Sequence, residues 1–262
     1  MPQFDPAYTA QHYDAYGSRE WERWQENPRN RMQRALFRHH LRERIRAGDR
    51  VLDAGCGPGV YAKDMLDLGA RVTCLDLSRV QLDACRERAP GCDGYELGSV
   101  TDLSRFADGS FDVTLALGGV LSYCFERAPQ ALGELVRVTR RGGRLGLSVM
   151  NLHGSMHAFL PGVLAVELAR NRQIVASGDL GRDINESRHE CHMFRVDELR
   201  ALLVAHGLRD VELHASGWLT PASGVEIAEG DAAWPFLFEA ELAASRESPG
   251  AGTHIIAWAR VP

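Results

Sequence analysis

The sequence predicts an α/β fold with a doubly wound, mostly parallel sheet, and three observations carry that reading. Aliphatic and β-branched runs alternate along the chain with segments of helical spacing. The first run, Val51-Leu52, passes through Asp53 into the turn Gly55-Cys56-Gly57-Pro58-Gly59, whose missing Cβ atoms let the backbone bend tightly against a ligand. The next run, Val72 to Leu75, ends in Asp76, so two consecutive strands carry an acid at the tip.

Residues 8 to 47 carry Tyr8, Tyr13, Tyr16, Trp21 and Trp24 among many charges, with Leu36, Leu41 and Ile45 at helix-compatible intervals. Two or three helices are expected there. Pro58 lacks a donor that a first helical turn would leave orphaned, so a helix is expected from Val60 to Leu68, stopped by Gly69. Ser78 caps a helix running through Ala89, which Pro90-Gly91 ends. Strands follow at Gly94 to Leu97 and, after the Asp108-Gly109-Ser110 turn, at Phe111 to Leu117. Pro129 to Thr139 reads as helix, Arg141-Gly142-Gly143 as a turn and Arg144 to Met150 as a fifth strand. Residues 152 to 192 break the alternation with Gly, His and charge around a helix near Gly162 to Arg170. That is too long for a plain connection and reads as a substrate-covering insertion. Val196 to His206 then forms a helix, Arg209 to Ala215 a strand, and Thr253 to Arg260 a seventh strand closing the sheet antiparallel.

Composition narrows the function. The chain has 262 residues, 45% of them hydrophobic, enough for one large domain. A net charge of -5 argues against nonspecific nucleic-acid binding, and the basic run Arg38 to Arg44 is interrupted by Glu43 and reads as a solvated helix face. Six cysteines at 56, 74, 85, 92, 124 and 191 have no paired spacing and read as reduced, mostly buried thiols. No leader pattern and no apolar run of about 18 residues is present, so a soluble, cytoplasmic chain without a membrane partner is expected.

Dinucleotide folds also place a glycine-rich turn after the first strand and an acid about 20 residues further on. Their third glycine would fall at position 60, which is Val60; the glycine sits one earlier, at Gly59. The pattern Asp-x-Gly-x-Gly-x-Gly, written here Val-Leu-Asp-Ala-Gly-Cys-Gly-Pro-Gly, instead resembles motif I of the class I S-adenosylmethionine-dependent methyltransferases. The passage Val-Thr-Arg-Arg-Gly-Gly-Arg-Leu is similar to a later helix-turn-strand segment of that family. The resemblance covers about residues 48 to 151 and implies a Rossmann-like seven-stranded fold with S-adenosyl-L-methionine as cofactor. It implies a single methyltransferase domain, 1–262: an N-terminal helical lid at 1–47, a cofactor-binding core at 48–151, the helical cap insertion at 152–192, and the C-terminal part of the sheet at 193–262.

On that resemblance Gly55, Cys56, Gly57 and Gly59 lie along the methionine and ribose of the cofactor, and Asp76 takes both ribose hydroxyls, a task that suits two acceptor oxygens. Asp53 orders the loop and the amino end of the methionine, and Leu77 and Leu117 belong to the cofactor wall. The family usually carries an acid for the adenine amino group where this chain has Ser99. Val100 offers its N–H to the ring, and either Ser99 or Asp102 is left to accept from the amino group. An N-terminal aromatic lid, with Tyr13 and Trp21, would face the sulfonium.

The acceptor is left open between nitrogen and oxygen of a small molecule. In-line transfer gains most from alignment and exclusion of water, while a hydroxyl acceptor also benefits from a base. The insertion supplies His153, His157 and His192 as candidate bases and Glu190 beside them; Tyr16, Tyr123 and His189 are expected at the substrate. His189-Glu190-Cys191-His192 lacks zinc-site spacing, so no metal is expected. A cofactor-binding regulatory or scaffold protein is the alternative function, and the chain is expected as monomer or homodimer.

Overall fold

Val51 and Leu52 sit side by side in β1 (Arg50–Ala54), both fully buried, and their side chains enter different clusters on opposite faces of the sheet. A strand buried on both faces needs helices above and below it, and that requirement organises the molecule. The computed structural model describes residues 2–184, 188–220 and 226–262. Three helices come first: α1 (Pro6–Tyr16), α2 (Arg19–Glu22) and, after a 3-10 turn, α3 (Pro28–Arg44), started by Asn27, whose side chain accepts from the Asn30 N–H. The alternation then runs through α4 (Val60–Asp67), β2 (Arg71–Asp76), α5 (Arg79–Arg88), β3 (Gly94–Leu97), β4 (Phe111–Ala116), α6 (Ala128–Val138) and β5 (Thr139–Met150). Ser78 caps α5 as expected, accepting from the Gln81 N–H at 3.1 Å.

After the insertion come α10 (Val196–Ala205), β8 (Arg209–Ala215), α11 (Trp234–Glu247) and β9 (His254–Arg260). The seven-stranded sheet has the order β3-β2-β1-β4-β5-β9-β8, and β9 alone runs opposite to the other six strands. The expected doubly wound fold is present, with one change at its edge. β9 does not close the sheet but lies one strand in, because six of its seven residues are buried, whereas β8 begins exposed and suits the rim. Phe37 and Leu41 of α3, Met65 of α4 and Leu82 of α5 fill one face; Leu132 and Leu135 of α6 and Leu199 and Leu203 of α10 fill the other.

Three further differences have local causes. α4 starts at Val60 but Pro58 stays outside it, since Gly59 at φ +83 turns the chain into the helix. The insertion holds three helices, α7 (Leu152–Ala158), α8 (Leu160–Ala165) and α9 (Leu168–Ser177), not one near Gly162 to Arg170. Asn171 ends α8 by donating its amide to the carbonyls of Val163 and Val166, at 2.6 and 3.2 Å. α11 was not anticipated from the sequence; its buried Glu241 accepts from the N–H groups of Trp218 and Thr220, at 2.8 and 2.6 Å, and ties the helix to the segment after β8.

The insertion ends in a hairpin of β6 (Asp179–Leu180) and β7 (Cys191–His192). His192 ties it down: Nδ1 meets Asp179 and Nε2 meets Glu198 of α10, both at 2.7 Å. Burial works against the imidazolium, but the two carboxylates outweigh it and raise the pKa above 6.5.

Because native His192 binds its proton more tightly than the unfolded chain does, its stabilisation is complete below pH 6.5 and is lost as pH rises through the raised native value. His192→Gln should therefore melt well below the wild type in acid buffer, with the gap shrinking as pH increases; a gap constant with pH would contradict the strap. Gly59→Ala is expected to cost about 1–2 kcal/mol from the left-handed backbone alone. The check is a lower urea midpoint at unchanged slope.

Candidate functional site

In the sheet order, the chain leaves β1 toward β2 and β3 on one side and returns to β4 and β5 on the other. The carboxyl ends of β1 and β4 thus flank a topological switch point, where α/β sheets leave a crevice. Here the crevice is an open cleft. Its floor is the turn after β1, anchored to β2: the N–H groups of Gly55 and Cys56 both donate to the Leu75 carbonyl, at 2.6 and 3.1 Å. Gly55 has to be glycine, since at φ +81 an added Cβ would lie 2.3 Å from Val120 Cγ2.

Asp76 lines the cleft with both oxygens already oriented. Oδ2 accepts from the Gly57 N–H and Oδ1 from the Ser78 N–H, each at 2.8 Å. Burial raises its pKa to about 6 against the opposing pull of those two bonds. Each oxygen keeps a lone pair for a ligand hydroxyl.

The walls come from four segments. Gly55, Cys56, Gly57, Asp76, Leu77, Ser99, Val100 and Leu117, all expected from the sequence, line the cleft. Tyr13 closes it from above, because Gln81 of α5 donates to the carbonyls of Tyr13 and Gly17 and so fastens the end of α1 over the opening. Three lining atoms, Trp24 Nε1, Tyr61 Oη and Gln81 Oε1, are buried with no hydrogen-bond partner among the described residues. A nucleoside with a charged amino-acid tail would supply polar partners to a site of this composition, so the residues fit S-adenosylmethionine.

Four of the expected cofactor residues lie off the cleft. Trp21 packs into the helical face of the core under the Arg88 guanidinium, 4.9 Å from its ring, and Trp24 takes the place beside the cleft. Gly59 faces α5: a Cβ there would meet Cys85 Sγ at 2.9 Å, so this glycine allows helix packing rather than ligand approach. Asp53 is buried under the turn, its carboxyl pushed up by burial and by the thiols Cys85 and Cys92. Asp102 is exposed and accepts from the Ser104 N–H at 3.1 Å, a turn cap that takes it away from the ligand side. Ser99 remains at the wall, with its Oγ 2.7 Å from Thr101 Oγ1.

A second, larger cavity shares Tyr13, Glu20, Arg23, Gly118 and Tyr123 with the first. Tyr16, Tyr123 and His189, expected at the substrate, all line it, next to Met150, Met156, Phe159 and Ile174. Tyr123 Oη and His189 Nε2 are 2.9 Å apart. The Tyr13 ring packs edge-on to Tyr123 at 5.7 Å. Burial, then the neighbouring His12 and Arg23, lowers the His189 pKa to about 4, so its ring is neutral at physiological pH. Burial likewise lowers His12.

The three histidines expected as bases are elsewhere. His153 and His157 are exposed on the side of α7 away from Ser155, Met156 and Phe159, which face the cavity. His192 has both ring nitrogens engaged. Glu190 is buried and doubly bonded to the Arg182 guanidinium, at 2.8 and 2.9 Å.

Sequence reading missed the pair at the junction of the two cavities, Glu20 and Arg23, joined at 2.7 Å. Burial raises Glu20, with Arg23 opposing; burial also opposes the Arg23 charge, but Glu20 more than restores it. Their i,i+3 spacing was the only signal, and it is common on any exposed helix. His12 was missed for the same reason: nothing in a charged, aromatic helix singles it out.

A family model described as a methyltransferase domain matches residues 52–147. Malonyl-[acyl-carrier protein] O-methyltransferase of Serratia marcescens is 37% identical over 39% of this chain and 39% of its own length. The enzyme of that description from Pseudescherichia vulneris is 31% identical over 71% of this chain and 74% of its own. Demethylmenaquinone methyltransferase of Paenarthrobacter aurescens is 36% identical over 38% of each chain. The chain spans between 33% and 46% of the length of the first curated relatives it matches. Among solved structures, the 1,6-didemethyltoxoflavin-N1-methyltransferase of Burkholderia thailandensis shares the fold at TM-score 0.59 and 18% identity, covering 100% of this chain and 92% of that one. A Thermotoga maritima methyltransferase shares it at 0.62 and 17%, covering 97% and 99%. With a glycine turn pinned to an acid-tipped second strand and a relative matched over most of both lengths, the chain belongs to the class I S-adenosylmethionine-dependent methyltransferase family.

Proposed function

We propose that this protein transfers a methyl group from S-adenosylmethionine to a protic oxygen or nitrogen of a small molecule with a largely apolar body. The observation that carries this reading is the junction of the two cavities, where Tyr13, Tyr123, Glu20 and Arg23 belong to both. One cavity has the polar fittings of a nucleoside site and the other an aliphatic and aromatic lining, so donor and acceptor would meet at the shared wall. The cofactor, when bound, supplies a methyl group on an electron-poor sulfonium.

The chain's own part is to bind, orient and exclude water. Asp76 accepts from the ribose hydroxyls, Ser99 from the adenine amino group, and the Val100 N–H donates to the ring. Glu20 and Arg23 carry opposite charges suited to the ammonium and carboxylate of an amino-acid tail. The Tyr13 and Tyr123 rings close the junction with aromatic surface, which favours a cation over water. His189, neutral and hydrogen-bonded to Tyr123, is the group able to take a proton from a hydroxyl acceptor. An amine arriving neutral needs no such help. The malonyl-carrier and toxoflavin enzymes named above act on oxygen and nitrogen respectively by their names, which supports keeping both acceptor atoms.

The test is calorimetric titration with S-adenosylmethionine, followed by detection of S-adenosylhomocysteine across a panel of phenols, hydroxy acids, carboxylates and amines with apolar bodies. Failure to bind the cofactor, or binding with no product from any acceptor, overturns the proposal.

Asp76→Asn should weaken cofactor binding about 10- to 100-fold, the loss of a charge-assisted hydrogen bond of about 1.5–3 kcal/mol. In the wild type, affinity should fall as pH drops through about 6, where free Asp76 takes up its proton, and the Asn variant should lack that dependence. His189→Ala should slow transfer to a hydroxyl by roughly 100- to 10,000-fold while leaving transfer to an amine within about tenfold. Equal losses on both acceptors would assign His189 to packing.

A further inference from the structure

Four of the six cysteines gather under the glycine turn from four different segments. Cys56 is in the turn itself, Cys74 on β2, Cys85 on α5 and Cys92 in the connection to β3. The sulfurs of Cys74 and Cys85 are 3.6 Å apart, as are those of Cys74 and Cys92. Those of Cys56, Cys74 and Cys85 all lie within 4.8 Å of one another. Tetrahedral zinc with sulfur bonds of about 2.3 Å sets its sulfurs about 3.8 Å apart, so these spacings are close to a metal thiolate's and far from a disulfide's about 2.05 Å.

Simple packing explains buried cysteines singly, since a thiol is a small apolar group. It does not explain convergence from four segments beside an ionisable group without a partner. Asp53, 1% exposed beneath the same turn, has an Oδ2 that meets no hydrogen-bond partner among the described residues. Cys92 is only half-buried, which gives the cluster a route to solvent.

We propose that Cys56, Cys74 and Cys85 form a binding site for one soft, thiol-seeking cation of the zinc class, with Cys92 in reach as a fourth sulfur. Soft thiolate ligands select zinc, cadmium or cuprous copper over magnesium and calcium. Each coordinating thiol gives its proton to solvent as its sulfur–metal bond forms, so binding releases protons. An ion held there would tie the turn after β1 to β2 and α5. The site stands whether or not the chain transfers methyl groups.

The experiment titrates the full chain, reduced and stripped of metal, with Cd²⁺. Expected are one bound equivalent, an ultraviolet thiolate-to-cadmium charge-transfer band, proton release, and displacement of the band by excess Zn²⁺. The band should be lost in Cys74→Ala and in Cys85→Ala and kept in Cys124→Ala, whose thiol is buried outside the cluster, with folding of each checked by circular dichroism. Should either cluster variant fail to fold, zinc-edge X-ray absorption on the wild type decides: sulfur scatterers at about 2.3 Å support the site. Absence of the band in the wild type, its persistence in both cluster variants, or zinc held by nitrogen and oxygen alone overturns it.

Discussion

Everything at the ligand end of this protein depends on how the turn after β1 is held to the tip of β2. Two N–H groups of the turn share the Leu75 carbonyl, and a third, from Gly57, donates to the Asp76 carboxylate. These bonds fix the floor of the cleft and orient Asp76 toward it. They also explain why the segment is glycine-rich, because Val120 approaches so closely at Gly55 that no side chain fits. Rigid anchoring matters chemically, since a reaction driven by alignment gains nothing from a pocket that must first be assembled.

Around that floor the chain builds a two-chambered space, and the second chamber is made mostly by segments outside the sheet. α1 is drawn over the opening by Gln81, and α7 to α9 supply aliphatic walls. The hairpin that carries His189 to the junction is held by His192 between two carboxylates, so a histidine that looks reactive in the sequence turns out to position another. The floor of the cleft and the walls of the second cavity are thereby built by different parts of the chain.

The core was legible because its signals are local and redundant. A two-face-buried strand, a left-handed glycine and an acid at a strand tip occur within a few residues of each other, and eight residues named from the sequence between Gly55 and Leu117 line one cleft. Trp21 and Trp24 were not separable, because a 3-10 turn after α2 decides which ring reaches the cleft and nothing in the sequence marks it. Histidines were the hardest to read: His153, His157 and His192 differ from His189 only in what the insertion folds against. The position of β9 required comparing its burial with that of β8, a tertiary quantity. α11 escaped because its buried anchor, Glu241, is a residue type that sequence reading assigns to the surface.

The central claim is that the cleft over the glycine turn holds the cofactor and that the cavity beside it holds the acceptor. A crystal structure of the chain with S-adenosylhomocysteine tests it most directly. The account predicts ribose hydroxyls on Asp76, adenine against Ser99 and Val100, and the sulfur pointing between Tyr13 and Tyr123 into the second cavity. A nucleoside bound elsewhere, or a sulfur directed away from that junction, would contradict it.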